Sequence, residues 1–430
     1  MEFQIEQLQS YLEKSPSCFH VGKTVCETLA AAGFMPLSEK DAWNLKAGGS
    51  YYVTRNGSSV LAFRIPTAQP KSALLWASHS DSPTFLIKEN PQIAVGEQYT
   101  KLNVEKYGGM LMAPWFDRPL SIAGRVCVKT AHGMETRLVN GARDLALIPS
   151  LAIHMNREAN DGMKYNVQND LLPLFSQEID AQGFRNWLSE ETGVASEAIL
   201  SHELFLYDRT PARVWGYRNE FFSAGKLDDL ACVYTGLAGF VAADVTEETL
   251  PMLCVFDNEE VGSGSKQGAA GTFLKDVFAR IVSGMRYDTE TFYRMIAAGL
   301  MISADNAHAL HPNHTEKSDP VQRPILNGGI VIKRSANQKY TTDAQTEAIC
   351  KLLCEKSDVP YQIFVNRSDM VGGSTLGNLS TGQLSIPAAD IGMAQLAMHS
   401  CYETIGAKDP SYFAAFAKTF FQSNPAAWAV

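Results

Sequence analysis

The feature that most constrains this chain is an apolar run, Leu253-Cys254-Val255-Phe256, that stops abruptly in Asp257-Asn258-Glu259-Glu260-Val261-Gly262-Ser263. A β-prone run without polar alternation reads as a strand buried on both faces of a sheet. Its C-terminal end then delivers charge where open α/β sheets form their ligand crevices. Two adjacent glutamates at such an end invite a division of labour, one binding a metal and its neighbour handling a proton. Taken alone, the same pair reads more simply as a solvated acidic turn.

The pattern recurs, and recurrence changes the balance. Ala73-Leu74-Leu75-Trp76-Ala77 ends in Ser78-His79-Ser80-Asp81-Ser82-Pro83, and Met301-Ile302-Ser303-Ala304 ends in Asp305. Asp228 opens a helical stretch from Leu230 to Ala243, and His399 precedes the last helix. Singly, Asp228 or Asp229 is a helix N-cap, the histidines belong to the core, and Asp305 is a capped turn. Together they could meet at the carboxyl edge of one sheet. Imidazole with carboxylate suits a pair of zinc ions, or zinc mixed with cobalt or manganese, rather than magnesium. With Asp228 bridging, His79 and Asp305 could hold one ion while Glu260 and His399 hold the other. Three carboxylates against two divalent ions leave a net positive charge, so a bridging water would lose its proton near neutral pH. Glu259 would be the general base, returning that proton to a leaving amine. Asp81, two residues after His79, would fix the imidazole tautomer.

Length and composition set the outer limits. A chain of 430 residues exceeds one ordinary core, so two domains are expected, and 45% hydrophobic with 19% charged residues fits a globular protein. A net charge of −9 without basic patches argues against nucleic acid as partner. No apolar stretch is long enough for a membrane span, and Met1-Glu2-Phe3-Gln4-Ile5-Glu6 lacks a signal-peptide pattern, so a cytoplasmic location is expected. The eight cysteines form no CxxC pair and no Cys/His cluster, and read as reduced, mostly buried small apolar groups.

Along the chain, helices are expected around Ile5 to Leu12 and Val21 to Ala32. A hairpin follows, turning at Asn56-Gly57 between Tyr51-Tyr52-Val53-Thr54 and Val60-Leu61-Ala62-Phe63. From about Gln92 to Arg218 short apolar runs are broken by Gly, Pro and Asn, which reads as a β-rich insertion for assembly or as a lid. The α/β pattern then resumes, with helices at Phe273 to Met285 and Ala344 to Glu355 and strands at Gly328 to Lys333 and Tyr361 to Val365.

Several blocks carry a more specific signal: His79-Ser80-Asp81-Ser82-Pro83, Lys226-Leu227-Asp228, Asn258-Glu259-Glu260-Val261-Gly262-Ser263, Ser303-Ala304-Asp305-Asn306-Ala307-His308-Ala309-Leu310-His311-Pro312-Asn313 and Gln395-Leu396-Ala397-Met398-His399-Ser400. In order and spacing the chain resembles the aspartyl aminopeptidase family, which includes vacuolar aminopeptidase I, over nearly its whole length. The resemblance implies a zinc-exopeptidase-like α/β fold, a mixed sheet flanked by helices. Its catalytic domain, residues 1–92 and 219–430, is interrupted by a β-rich dimerisation domain, residues 93–218. It implies a two-zinc peptidase acting on peptides, usually a dodecamer built from dimers. His79, Asp228, Glu260, Asp305 and His399 fall on the family's metal ligands, Glu259 on its base and Asp81 on its orienting carboxylate. By resemblance alone, His154 in Leu151-Ala152-Ile153-His154-Met155 reaches into a neighbouring subunit's site. Asp229 stands where many relatives carry Asn, which leaves open which of the two aspartates bridges.

A preference for acidic amino-terminal residues needs fixed positive charge in the first specificity pocket. Lys333, Arg334 and Lys339 are the candidates, and the resemblance favours Lys333. Gly373, in the turn Gly372-Gly373-Ser374-Thr375, could let backbone approach the substrate, although no P-loop follows it. His308, His311 and His314 are spaced three apart, but Pro312 breaks helical register, so His308 is read as a substrate or outer contact rather than a third metal site. The alternatives are a two-metal aminopeptidase of neutral or broad specificity, a deacylase or carboxypeptidase on the same scaffold, and a non-catalytic shell protein.

Overall fold

The computed structural model describes residues 3–428. A nine-stranded mixed sheet runs, edge to edge, Met35–Leu37, Ser50–Arg55, Ser59–Arg64, Thr249–Phe256, Ser72–His79, Leu300–Ala304, Ala388–Gly392, Ile330–Arg334, Tyr361–Val365. Its centre is parallel: Ser72–His79 lies between Thr249–Phe256 and Leu300–Ala304, with Phe256 beside His79 and Ser303 beside Ala77. These central strands are buried along their whole length, which is why they read as unbroken apolar runs. Successive side chains feed opposite faces. Leu74, Trp76, Leu253 and Val255 join one apolar cluster, while Leu75, Ala77, Met252 and Cys254 join the other.

On the first face the helix Leu227–Ala242 is wedged between the sheet and the last helix, Asp409–Phe421. Trp76 donates its indole N–H to the Cys232 carbonyl at 3.3 Å and sits with ring centroids 6.4 Å from Phe413, Phe416 and Phe420. A Cβ on Gly236 would stand 2.2 Å from that indole, so this close approach needs glycine. The second face is covered by Phe273–Gly284, Thr289–Ala297 and Leu376–Gln383. The hairpin forms with a three-residue loop, Asn56 to Ser58, between the paired Arg55 and Ser59, and Asn56 and Gly57 are both left-handed (φ 62° and 74°).

A separate six-stranded sheet runs Gly133–Asn140, Leu120–Thr130, Ile199–Asp208, Thr84–Val95, Tyr99–Tyr107, Leu174–Ser176. It has its own apolar cluster, including Phe85, Val104, Ile122, Leu204, Phe184 and Trp187. Position 92 lies inside the Thr84–Val95 strand, which pairs entirely within this sheet. Arg213–Trp215 instead joins a third, five-stranded sheet with Phe221–Ala224, Glu403–Gly406, Ala394–Leu396 and Ala307–His308. Arg125 ties the six-stranded sheet to the hairpin. It donates to the Asn56 carbonyl at 2.7 Å, pairs with Glu203 at 2.6 Å and lies 4.1 Å from the Phe19 ring centroid. All eight cysteines are free thiols. Among the described residues, no helix is long and apolar enough to cross a membrane.

Candidate functional site

The three adjacent parallel strands end side by side, and their ends carry His79, the Asn258-Glu259-Glu260 segment and Asp305. The Leu227–Ala242 helix presents Asp228 to them, and the Ala397 to Ser400 turn presents His399. Ligand-capable atoms of His79, Asp228, Asp229 and Asp305 lie within 4.8 Å of one another, as do those of Asp228, Glu260 and His399, and those of His79, Glu259 and Glu260. The sequence-derived cluster thus comes together.

Asp228 stands at its centre. Its Oδ1 lies 3.4 Å from His79 Nε2 and its Oδ2 lies 3.4 Å from His399 Nε2. His399 Nε2 also lies 3.3 Å from Glu260 Oε2. Asp229 points elsewhere with one oxygen, Oδ2 accepting the backbone N–H of His79 at 3.1 Å. Asp305 is met by Lys333, whose Nζ lies 3.6 Å from its Oδ2.

The irregular backbone around these groups is held by side chains. Lys226, Asn258 and His399 all take left-handed conformations (φ 61°, 62° and 65°), costly for non-glycine residues unless the surroundings fix them. Asn258 is gripped by Ser265 and Gln267, which donate to its Oδ1 at 2.7 and 2.8 Å, while its Nδ2 donates to the Tyr107 hydroxyl at 2.9 Å. The loop that follows the Tyr99–Tyr107 strand also reaches the site: Leu111 N–H donates to the His399 carbonyl at 3.0 Å, and the Gly109 carbonyl meets His399 Nδ1.

Burial dominates the electrostatics. It pushes the Glu259 carboxyl up to about 7, opposed by His79 and reinforced by Asp305, Asp81 and Asp228. Glu260 is raised by burial and then by Asp228. Asp228 itself is lowered, because its bonds to His399 and His79 outweigh the burial that would raise it. Asp228 Oδ1, Asp229 Oδ1 and Glu260 Oε1 are buried without a hydrogen-bond partner. Interior carboxylate oxygens of this kind are costly unless a cation meets them, and with two imidazoles beside them they fit a divalent metal of the zinc type.

Among the outer residues, Asp81 and Lys333 make main-chain contacts that the sequence does not show. Asp81 is buried, but the imidazole of His79 meets its backbone carbonyl, with Nδ1 at 3.0 Å, while its carboxylate Oδ1 stands 3.4 Å away. That carboxylate accepts the N–H groups of Glu259 and Glu260 and the Tyr107 hydroxyl. Lys333 is 2% exposed and donates to the carbonyls of Asp305 at 2.8 Å and Asn306 at 3.3 Å, so its ammonium is engaged with the chain itself. His308 keeps much of its surface in solvent, while the crowding around its ring, with the Phe364 ring centroid at 6.1 Å, and the nearby Lys333 charge lower its pKa. Gly373 lies in an open loop where an added Cβ would meet nothing within 4 Å. His154 occupies an exposed turn and is absent from the cluster of its own chain, flanked by Leu151, Ile153 and Met155 at 55%, 47% and 76% exposure.

Two residues escape sequence reasoning. Asn306 donates to the Leu227 carbonyl at 2.9 Å and to Gln395 at 2.6 Å, fastening the strand end to the Asp228 helix. Glu403, 1% exposed, accepts the N–H of Asp228 at 3.0 Å and that of His399 at 2.7 Å. The available signal for Glu403 was an acid at the head of the short run Glu403-Thr404-Ile405-Gly406, four residues after His399.

Residues 11–421 match the family model described as aminopeptidase I zinc metalloprotease (M18). A probable M18 family aminopeptidase 2 of Clostridium acetobutylicum is 44% identical over 415 residues, covering 95% of this chain and 96% of the relative. Among solved structures, a cryo-electron microscopy structure of an Ape4–Nbr1 complex is similar at TM-score 0.94 and 33% identity, covering 97% of this chain and 85% of that one. The mature Ape1 dodecamer of S. cerevisiae is similar at TM-score 0.87 and 26% identity, covering 98% and 97%. The chain therefore belongs to the M18 family of zinc metalloproteases and is a metalloaminopeptidase.

Proposed function

We propose that this aminopeptidase removes acidic residues, aspartate or glutamate, from peptide amino termini at a site that holds two divalent ions. The observation that carries this reading is the set of buried carboxylate oxygens without hydrogen-bond partners, interleaved with the His79 and His399 imidazoles. Asp228, faced by one imidazole on each oxygen, is the shared ligand. His79 and Asp305 complete one position, Glu260 and His399 the other. The donor set suits zinc, with cobalt and manganese as alternatives. When bound, such ions supply Lewis acidity to the scissile carbonyl and to water.

The chain's own residues do the rest. Glu259 takes a proton from the attacking water and returns it to the departing amine. Its burial raises its proton affinity towards the range where one carboxyl can do both. Asp81 fixes the main chain of Glu259 and Glu260 and, through its carbonyl, the His79 ring. Lys333 contributes a buried positive charge beside Asp305, which favours an acidic side chain on that flank even with the ammonium engaged locally. His308 and the backbone at Gly373 contribute the remaining substrate contacts. The module built on the six-stranded sheet, from Thr84 to Asp208, serves dimerisation in place of the 93–218 span expected from sequence, and His154 serves a neighbouring subunit's site. The exposed apolar residues around His154 support this, as does similarity to a protein solved as a dodecamer.

The test is a panel of aspartyl, glutamyl and leucyl anilides with added zinc, cobalt or manganese. Faster turnover of the acidic pair is expected. Equal kcat/KM for leucyl substrates would remove the acidic preference.

A further inference from the structure

Asp228 and His399 have one thing in common besides facing each other: neither is held by a backbone ladder. Asp228 follows the left-handed Lys226 and has non-helical torsions (φ −84°, ψ 105°) inside its helix, and His399 is itself left-handed. Free main-chain donors in buried, irregular backbone need a substitute partner. One side chain supplies it to both. Glu403 accepts the N–H of Asp228 with Oε2 and that of His399 with Oε1.

Glu403 is well placed to act as a ruler. It begins the Glu403–Gly406 strand, which is paired on one side with Phe221–Ala224 and on the other with Ala394–Leu396. The strand's position is thus set by the sheet and not by the site. The other candidate ligands have independent anchors. The His79 N–H is held by Asp229, Asp305 by Lys333, and the Glu260 N–H by Asp81.

We propose that Glu403 is a positioning residue that sets the distance between Asp228 and His399, and through it selectively the affinity for the ion those two share with Glu260. The proposal rests on the two-ion reading above. Glutamine at 403 keeps the shape but turns an amide towards one of the two donors, so Asp228 and His399 lose their common spacer. The ion facing both is disturbed at two ligands, the other ion at Asp228 alone, whose carbonyl is still held by the Ser82 hydroxyl. Aspartate keeps the charge on a shorter arm. Asp409 provides a control beside the same strand: it is buried, accepts the N–H groups of Asn327 and Gly329 at 2.8 and 3.0 Å and packs against Gly406 at the far end of the Glu403–Gly406 strand, but it is not among the clustered ligands.

The experiment uses the full chain, stripped and titrated with zinc against a chromogenic chelator, and with cobalt followed by its visible absorption. The parent should bind two ions per chain, and fewer would sink the two-ion reading itself. In Glu403→Gln one ion should weaken by about 10- to 100-fold while the other stays within a few-fold, the usual size of an outer-ligand loss. The cobalt bands of the weakened position should shift. Glu403→Asp should recover part of the affinity and also serves if the glutamine variant does not fold. Asp409→Asn should lose stability with both affinities unchanged. Parent-like affinities and spectra in both Glu403 variants would overturn the proposal, and so would an equal loss in Asp409→Asn.

Discussion

Asp81 holds Glu259 by its main chain: Oδ1 accepts the Glu259 N–H at 3.1 Å, while Oδ2 takes the N–H of Glu260 at the same distance. The Glu259–Val261 segment is a single helical turn whose first donors have no partner within the turn, and Asp81 supplies one. The proposed base and the neighbour proposed to bind metal are thereby fixed by the segment that follows the His79 strand. Asp81→Asn should lower kcat by about 10- to 100-fold, since an amide cannot accept from both donors. Tyr107→Phe, which removes one bond to the same carboxylate, should cost less. Steady-state kinetics on both variants check the order, and a larger loss in Tyr107→Phe would contradict it.

Glu259→Gln should keep the bound metal and lose about 100- to 10,000-fold in turnover, the usual share of a general base. Metal content by elemental analysis and anilide hydrolysis check both halves. Parent-rate hydrolysis would remove Glu259 from the role.

Removing metal with a chelator should abolish activity and lower the melting temperature. Ligands that bind only the folded chain stabilise it by about 2.7 kcal/mol per site at a hundredfold excess over Kd. Thermal melts across a zinc titration measure this, and a melting temperature independent of zinc would exclude metal at the cluster.

Lys333→Met should lower kcat/KM for leucyl substrates, because Asp305 loses its buried partner, and lower it further for aspartyl substrates. Parallel kinetics on the two anilides separate the effects. Equal losses would leave Lys333 with the positioning of Asp305 alone.

His154→Ala should reduce turnover by about 100- to 1,000-fold if its ring donates to the substrate carbonyl. Mixing that variant with Glu259→Gln subunits should restore part of the rate, because an intact base in one subunit then meets an intact His154 from the other. No recovery in verified mixed assemblies would confine His154 to its own chain.

How much of this was legible in the sequence follows from where each interaction ends. The strands carrying His79, Glu259 and Asp305 are buried on both faces, so they appear as apolar runs that stop on polar residues. The convergence of Asp228 and His399 with them was visible as residue types in order. Bonds to backbone N–H groups leave no comparable trace: Glu403 and the true work of the Asp81 carboxylate belong to that class. Lys333 reads as a candidate pocket cation, and the two carbonyls that hold its ammonium leave no pattern in the sequence. Position 92 reads as a change in character because exposed and half-buried residues crowd the second half of the Thr84–Val95 strand, whose pairing breaks after Ile87 and resumes at Gln92 in a shifted register.

The adjacency of the strands ending at His79 and Phe256 has a consequence for synthesis. Between those neighbours the ribosome must deliver the whole of the six-stranded sheet, and His399 emerges later still. The grouping of His79, Asp228 and Asp305 is available once residue 305 has been made, whereas that of Asp228, Glu260 and His399 waits for the penultimate stretch of chain. The second of the two proposed ion positions is therefore the last part of the cage to be built.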